Sequence, residues 1–141
     1  MFTVRNIGGV ALFLLGTTYV WLTQALALLG IDTSAFGTWG IDTSGIWWDV
    51  TRVLSAVTLV CFTVATWGLF ARRSWWEVVA LASASLGLLA LTPFWIAVQV
   101  GGGSTPWFNL LVHALGCASV LLLLLVPVLR AWVNGHVMSG R

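Results

Sequence analysis

Long stretches of this chain carry no charge, and the spacing of the breaks predicts its elements. No charged residue falls between Arg5 and Asp32, between Arg52 and Arg72, or from Val78 to Leu129. A helix needs about 20 apolar residues to cross the hydrocarbon core of a bilayer. The first two runs therefore hold one crossing each, and the third holds two. The cluster "GGGSTP" (Gly101 to Pro106) divides the third run and reads as a turn between helices. The pattern predicts an all-α integral membrane bundle of four transmembrane helices, at about residues 7–30, 46–70, 77–100 and 107–131. The chain forms a single domain over residues 1–141.

Alternative readings of these runs are weaker. Arg5 before an apolar stretch and the "ALA" at Ala25 to Ala27 resemble a cleaved signal peptide, but the stretch continues past them and exceeds the usual apolar region of such a leader. A β-barrel requires alternation, whereas "LLLLL" (Leu121 to Leu125) favours helix.

Composition strengthens the picture. The chain is 60% hydrophobic and 7% charged, with six arginines and no lysine. Soluble domains carry about 25% charged residues, so this surface is not built for water. The arginine bias also points to a GC-rich prokaryotic genome. In a four-span zigzag, Arg5, Arg72, Arg73, Arg130 and Arg141 lie on one side, while Asp32, Asp42, Asp49 and Arg52 lie on the other. Arginine marks the cytoplasmic side, so both termini are expected in the cytoplasm of a multi-pass cell-membrane protein. The tryptophans fit two interfacial belts, with Trp39, Trp47, Trp48 and Trp107 outside and Trp75, Trp76 and Trp132 inside.

Between the first two spans the sequence writes "GIDTS" twice, at residues 30–34 and 40–44. Side-chain oxygens of Asp, Thr and Ser start helices by accepting from free backbone N–H groups, so Asp42 or Ser44 is expected to cap the second helix. The first copy suits a short interfacial turn with Phe36 and Trp39 among the headgroups. A calcium loop needs 6–8 oxygens, more than Asp32, Asp42 and Asp49 supply.

Polar side chains within the spans are the candidate functional residues, because they are costly there. Gln24, Asp49, Arg52, Gln99, Asn109 and His113 fall at similar depth in the outer half and form a candidate ligand-binding cluster. Asp49 and Arg52, three apart, are placed for a local ion pair. Asn109, His113 and Cys117 follow at four-residue spacing and share one helical stripe. Pro93 is expected to bend the third span at the depth of this cluster. Each group also has a structural reading: Arg52 reaches the interface along its aliphatic stem, and His113 bonds across the bundle.

The same residue list bounds the chemistry. His113 and His136 lie at opposite ends of the fourth span, which rules out one haem held by both; a single-histidine chlorin or haem through His113 stays open. Cys61 and Cys117 form no C-x-x-C pair, and histidine and cysteine are too few at one depth for zinc, so no metal or other cofactor is expected. Glu77, the one glutamate, reads as an anion at a helix N-terminus. No Walker loop or nucleophile elbow is present, so the chain is expected to be non-catalytic.

Small-residue faces, "ALASASLG" (Ala80 to Gly87) and "HALGCAS" (His113 to Ser119), suit close helix packing. The preferred expectation is an accessory or assembly subunit packing in a larger membrane complex. The alternative is a small-molecule or lipid binder or carrier with an outward-facing polar pocket. The expected partners are the bilayer and other membrane subunits or a second copy, with no nucleic acid.

Overall fold

The structure, a computed structural model, describes residues 3–23 and 42–137. These residues form five helices and no strand: α1 Val4–Thr23, α2 Ile46–Phe70, α3 Trp76–Val100, α4 Trp107–Leu125 and α5 Pro127–Val137. Helices α2, α3 and α4 are each long and apolar enough to cross a membrane, and α1 contributes an apolar stretch over Val4–Val20. The expected second and third spans match α2 and α3 within one residue. The first begins three residues earlier than expected, and its expected end lies outside the described residues.

The fourth span is where the expectation fails. A single helix over 107–131 is replaced by α4, a break at Val126, and α5. Val126 has the extended values φ −78°, ψ 116°. The residue before a proline is pushed out of the α region by the ring, and Pro127 supplies that ring. Charge-free length suggested one helix; the steric demand of one proline divided it.

The helices are built inside out relative to a soluble bundle. On α2 the buried face is Trp48, Thr51, Ser55, Thr58, Phe62, Ala65 and Leu69, at three- and four-residue spacing. The opposite face shows Val53, Val57, Val60, Val64 and Trp67 to the outside. On α3 the buried positions include Ala80, Ser83, Ala84, Gly87 and Ala90. Large apolar groups outside and small or hydroxyl groups inside are the pattern of helices packing within lipid. Three buried hydroxyls are satisfied locally. Thr51 donates to the Trp47 carbonyl at 2.8 Å, Thr58 to Leu54 at 2.8 Å and Ser83 to Val79 at 2.6 Å. Such i−4 bonds let polar side chains sit inside without seeking partners on other helices.

Successive helices run antiparallel. At the start of α1, Gly8 faces Leu69 at the end of α2; two turns on, Gly16 faces the Phe62 side chain. Gly68 lies against Trp75 and Trp76, where α2 turns into α3. Both major turns close with the same backbone motif. The Arg73 N–H donates to the Gly68 carbonyl at 2.8 Å, and the Gly103 N–H donates to Val98 at 2.9 Å. Each turn needs one left-handed residue, Gly102 at φ 80° in one and Arg72 at φ 52° in the other.

The two ends of the bundle differ in charge. One holds Arg5, the α2–α3 turn with Arg72 and Arg73, and α5. There the Arg130 Nε–H donates to Glu77 Oε2 at 2.6 Å, tying α5 to the start of α3. Glu77 therefore has a cation partner 53 residues away as well as its place in the first turn of α3. The other end holds Asp42, Asp49 and Arg52.

Candidate functional site

At the Asp42 end, α2 does not start on a side-chain cap. Its N-cap is Gly45, at φ 105°, and the Gly45 carbonyl accepts from the Trp48 and Asp49 N–H groups at 3.1 and 3.2 Å. Asp42 instead closes a tight turn one step earlier, its Oδ1 accepting from the Ser44 N–H at 2.9 Å. Asx turns of this kind compete with capping for the same short side chain. The Ser44 hydroxyl, and with it the Ser44 N–H, stabilises the carboxylate and holds the Asp42 carboxyl below its ordinary value. Arg52 pairs with Asp49 at 3.0 Å and also donates from Nη2 to the Thr43 carbonyl at 3.0 Å. Its guanidinium thus staples α2 to the turn before it.

Gln99 is exposed and donates from Nε2 to the Thr105 hydroxyl at 2.9 Å, bridging the two sides of the glycine turn. Gln24 lies outside the described residues, as do Asp32, Phe36 and Trp39. Trp48 and Trp76 depart from the belt reading: they are 1% and 3% exposed. Trp48 packs its ring edge-on to Phe94, 6.1 Å between centroids, and donates its indole N–H to the Asp42 carbonyl at 2.9 Å. Trp47, Trp107 and Trp132 do face outward.

The stripe Asn109, His113 and Cys117 is buried along α4, as its spacing predicts. Its principal partner is Tyr19, which the pattern of charges and amides did not single out. Tyr19 is the only tyrosine of the chain and stands in an otherwise apolar stretch, which was the available signal. Its ring meets the His113 imidazole edge-on at 4.7 Å and stacks on Phe62 at 6.2 Å. The Tyr19 hydroxyl lies 3.1 Å from Cys117 Sγ, and either proton can bridge them. Gly87 makes room for this contact: a Cβ there would meet the Tyr19 hydroxyl and come within 2.8 Å of Cys117 Sγ. Cys117 is thus a buried packing residue with one polar contact.

His113 Nδ1 lies 2.6 Å from the Asn109 carbonyl. A carbonyl only accepts, so Nδ1 is the donor of this contact. The ring is buried, and the Thr18 backbone of α1 lies within polar contact of it.

The six expected cluster residues thus divide into an Asp49–Arg52 staple, a Gln99 turn bridge and an Asn109–His113 step, with Gln24 outside the described residues. None of the five described lies on the wall of the cavity of about 490 Å³ between α1 and α4. Among the described residues, no three His, Cys, Asp or Glu side chains come together as a metal site. Comparison with known proteins gives no match to a family model, a curated protein or a solved structure.

Proposed function

We propose that the chain is a non-catalytic, four-span membrane protein that acts by contact, as an accessory or assembly subunit of a larger membrane complex. The observation that carries this reading is that several polar side chains of the spans bond to their own helix or the adjoining turn and are not gathered into a site. Arg52, Asp49, Gln99 and the hydroxyls Thr51, Thr58 and Ser83 are each bonded within a few residues of themselves. They serve the helices and turns that bear them and leave the outer, apolar faces as the surface for work. The small-residue faces add nothing to this argument, because Ala80, Ser83, Ala84 and Gly87 are already buried within the chain. In this reading the end bearing Arg5, Arg72, Arg73 and Arg130 is cytoplasmic, as the positive-inside tendency favours.

The test is purification from native membranes in a mild detergent after light cross-linking. Stable co-migration with defined membrane subunits is expected; a homogeneous monomer or dimer with no partner would sink the proposal. Single cysteines placed beside Arg72 should resist labelling from outside intact cells.

A second reading draws on the buried His113 imidazole beside Tyr19: a small-molecule binder, or a single-histidine pigment or haem protein. Arg52→Ala combined with His113→Ala should then abolish binding without loss of expression. A colourless purified sample removes the pigment form of this reading.

A further inference from the structure

The four seams of the bundle are not equally closed. Next to the Tyr19–Cys117 contact, α1 and α4 part toward the Arg5 end, leaving the cavity of about 490 Å³. Small-molecule sites span about 300–1,000 Å³. Leu12 and Leu15 of α1 and Val120 and Leu123 of α4 line it, and Leu15 packed against Gly116 closes its inner end. Trp132, Val133 and Val137 of α5 complete the wall.

Buried polar atoms without partners occur along the whole bundle, and two of them flank this cavity. Trp76 is on the wall, 3% exposed, and its indole N–H has no acceptor. Arg5 stands between the wall residues Val4 and Ile7, and its Nε–H is buried without an acceptor. Unpaired donors beside hydrocarbon are costly to keep. The one carboxylate of this end, Glu77, is engaged by Arg130, so Arg5, Arg72 and Arg73 leave the region cationic. The complementary molecule has a long apolar chain and anionic acceptor oxygens at one end. A neighbouring transmembrane helix does not qualify, since its backbone carbonyls are used within the helix.

We infer that this slot holds one acyl chain of an anionic phospholipid, whose headgroup lies over the cationic end formed by Arg5, Arg72 and Arg73. The inference rests on the membrane reading proposed above and is independent of any partner subunit. Arg5, next to the wall residue Val4, sets the preference for charge.

Native mass spectrometry of the full chain in mild detergent tests it, with dioleoyl phosphatidylglycerol and dioleoyl phosphatidylcholine as probes. The wild type should retain one phosphatidylglycerol per chain in preference to phosphatidylcholine. Arg5→Gln should keep the bound chain but lower that preference about fivefold, the effect of one arginine near a charged headgroup. Ala11→Trp, at an exposed position on the wall, should fill the slot and abolish retention. Ser119→Phe on the facing helix should do the same, which guards against misfolding of either variant. Equal retention of the two lipids by the wild type overturns the inference, as does retention in both filled variants. Loss of a co-purifying protein from Ala11→Trp with lipid occupancy unchanged overturns it too, by assigning the slot to a partner. If lipid retention fails while the Arg72-side cysteines stay protected, the slot alone is misread; a chain soluble without detergent removes both readings.

Discussion

Gly87→Ala adds a single methyl where the helices leave no room for it. The new Cβ would meet the Tyr19 hydroxyl and lie 2.8 Å from Cys117 Sγ and 2.9 Å from Tyr19 Cζ. Tyr19 has nowhere to retreat: it is fully buried, stacked on Phe62 and edge-on to His113 at 4.7 Å. Overpacking of this kind costs about 1–3 kcal/mol. The exchange also gains about 1 kcal/mol of helix propensity, since glycine is poor in a helix interior. Because none of the clashing atoms is the free end of a flexible chain, the cost lies near the top of its range, and the net loss is about 1–2 kcal/mol. Tyr19→Phe removes the nearest clashing atom together with the Cys117 contact. The double variant should therefore be less destabilised than the sum of the singles by about 1 kcal/mol. Unfolding in mixed micelles, followed by circular dichroism, measures all four corners of this cycle. A Gly87→Ala protein more stable than wild type, or a strictly additive cycle, would refute the packing argument.

Two further expectations concern the ends of the bundle. Arg130→Gln strips a mostly buried Glu77 of its cation. A hydrogen bond to a charged group is worth about 1.5–3 kcal/mol, which the exposure of Arg130 reduces to about 1–2. Amide exchange over Pro127–Val137 should accelerate about 5–30-fold, and unchanged exchange would show that α5 docks without the pair. At the other end, the Ser44 hydroxyl and N–H hold Asp42 ionised, so the folded pKa lies below the unfolded one. The turn is therefore stabilised above the ordinary carboxyl value and loses that support as the pH falls through the lowered one. Protection of the Ser44 amide should drop on acidification in the wild type and stay flat in Asp42→Asn; the same acid profile in both would discard this account.

The ends of α2 and α3 were legible because charges and the glycine cluster punctuate the chain where water begins. The α4 break was legible only in Pro127, and the charge-free run through Leu129 outweighed it. Sequence spacing placed Asp49 beside Arg52, and Asn109 beside His113, because helical geometry fixes neighbours three and four apart. It did not reveal Tyr19 against His113 and Cys117, or Glu77 against Arg130, because those contacts depend on which helices adjoin. Nor did it show that Trp48 and Trp76 turn inward: an indole suits a headgroup belt and a packed core equally, and only the neighbouring backbone decides.

The Glu77–Arg130 tie has a consequence for how the protein is made. A ribosome adding about 5–20 residues per second reaches Arg130 some seconds after Glu77, 53 positions earlier. Through that interval the carboxylate waits at the membrane surface without its counterion. Fastening α5 to the first turn of α3 is thus a late event in biogenesis, and a nascent chain stalled before residue 130 would expose a latch with no catch.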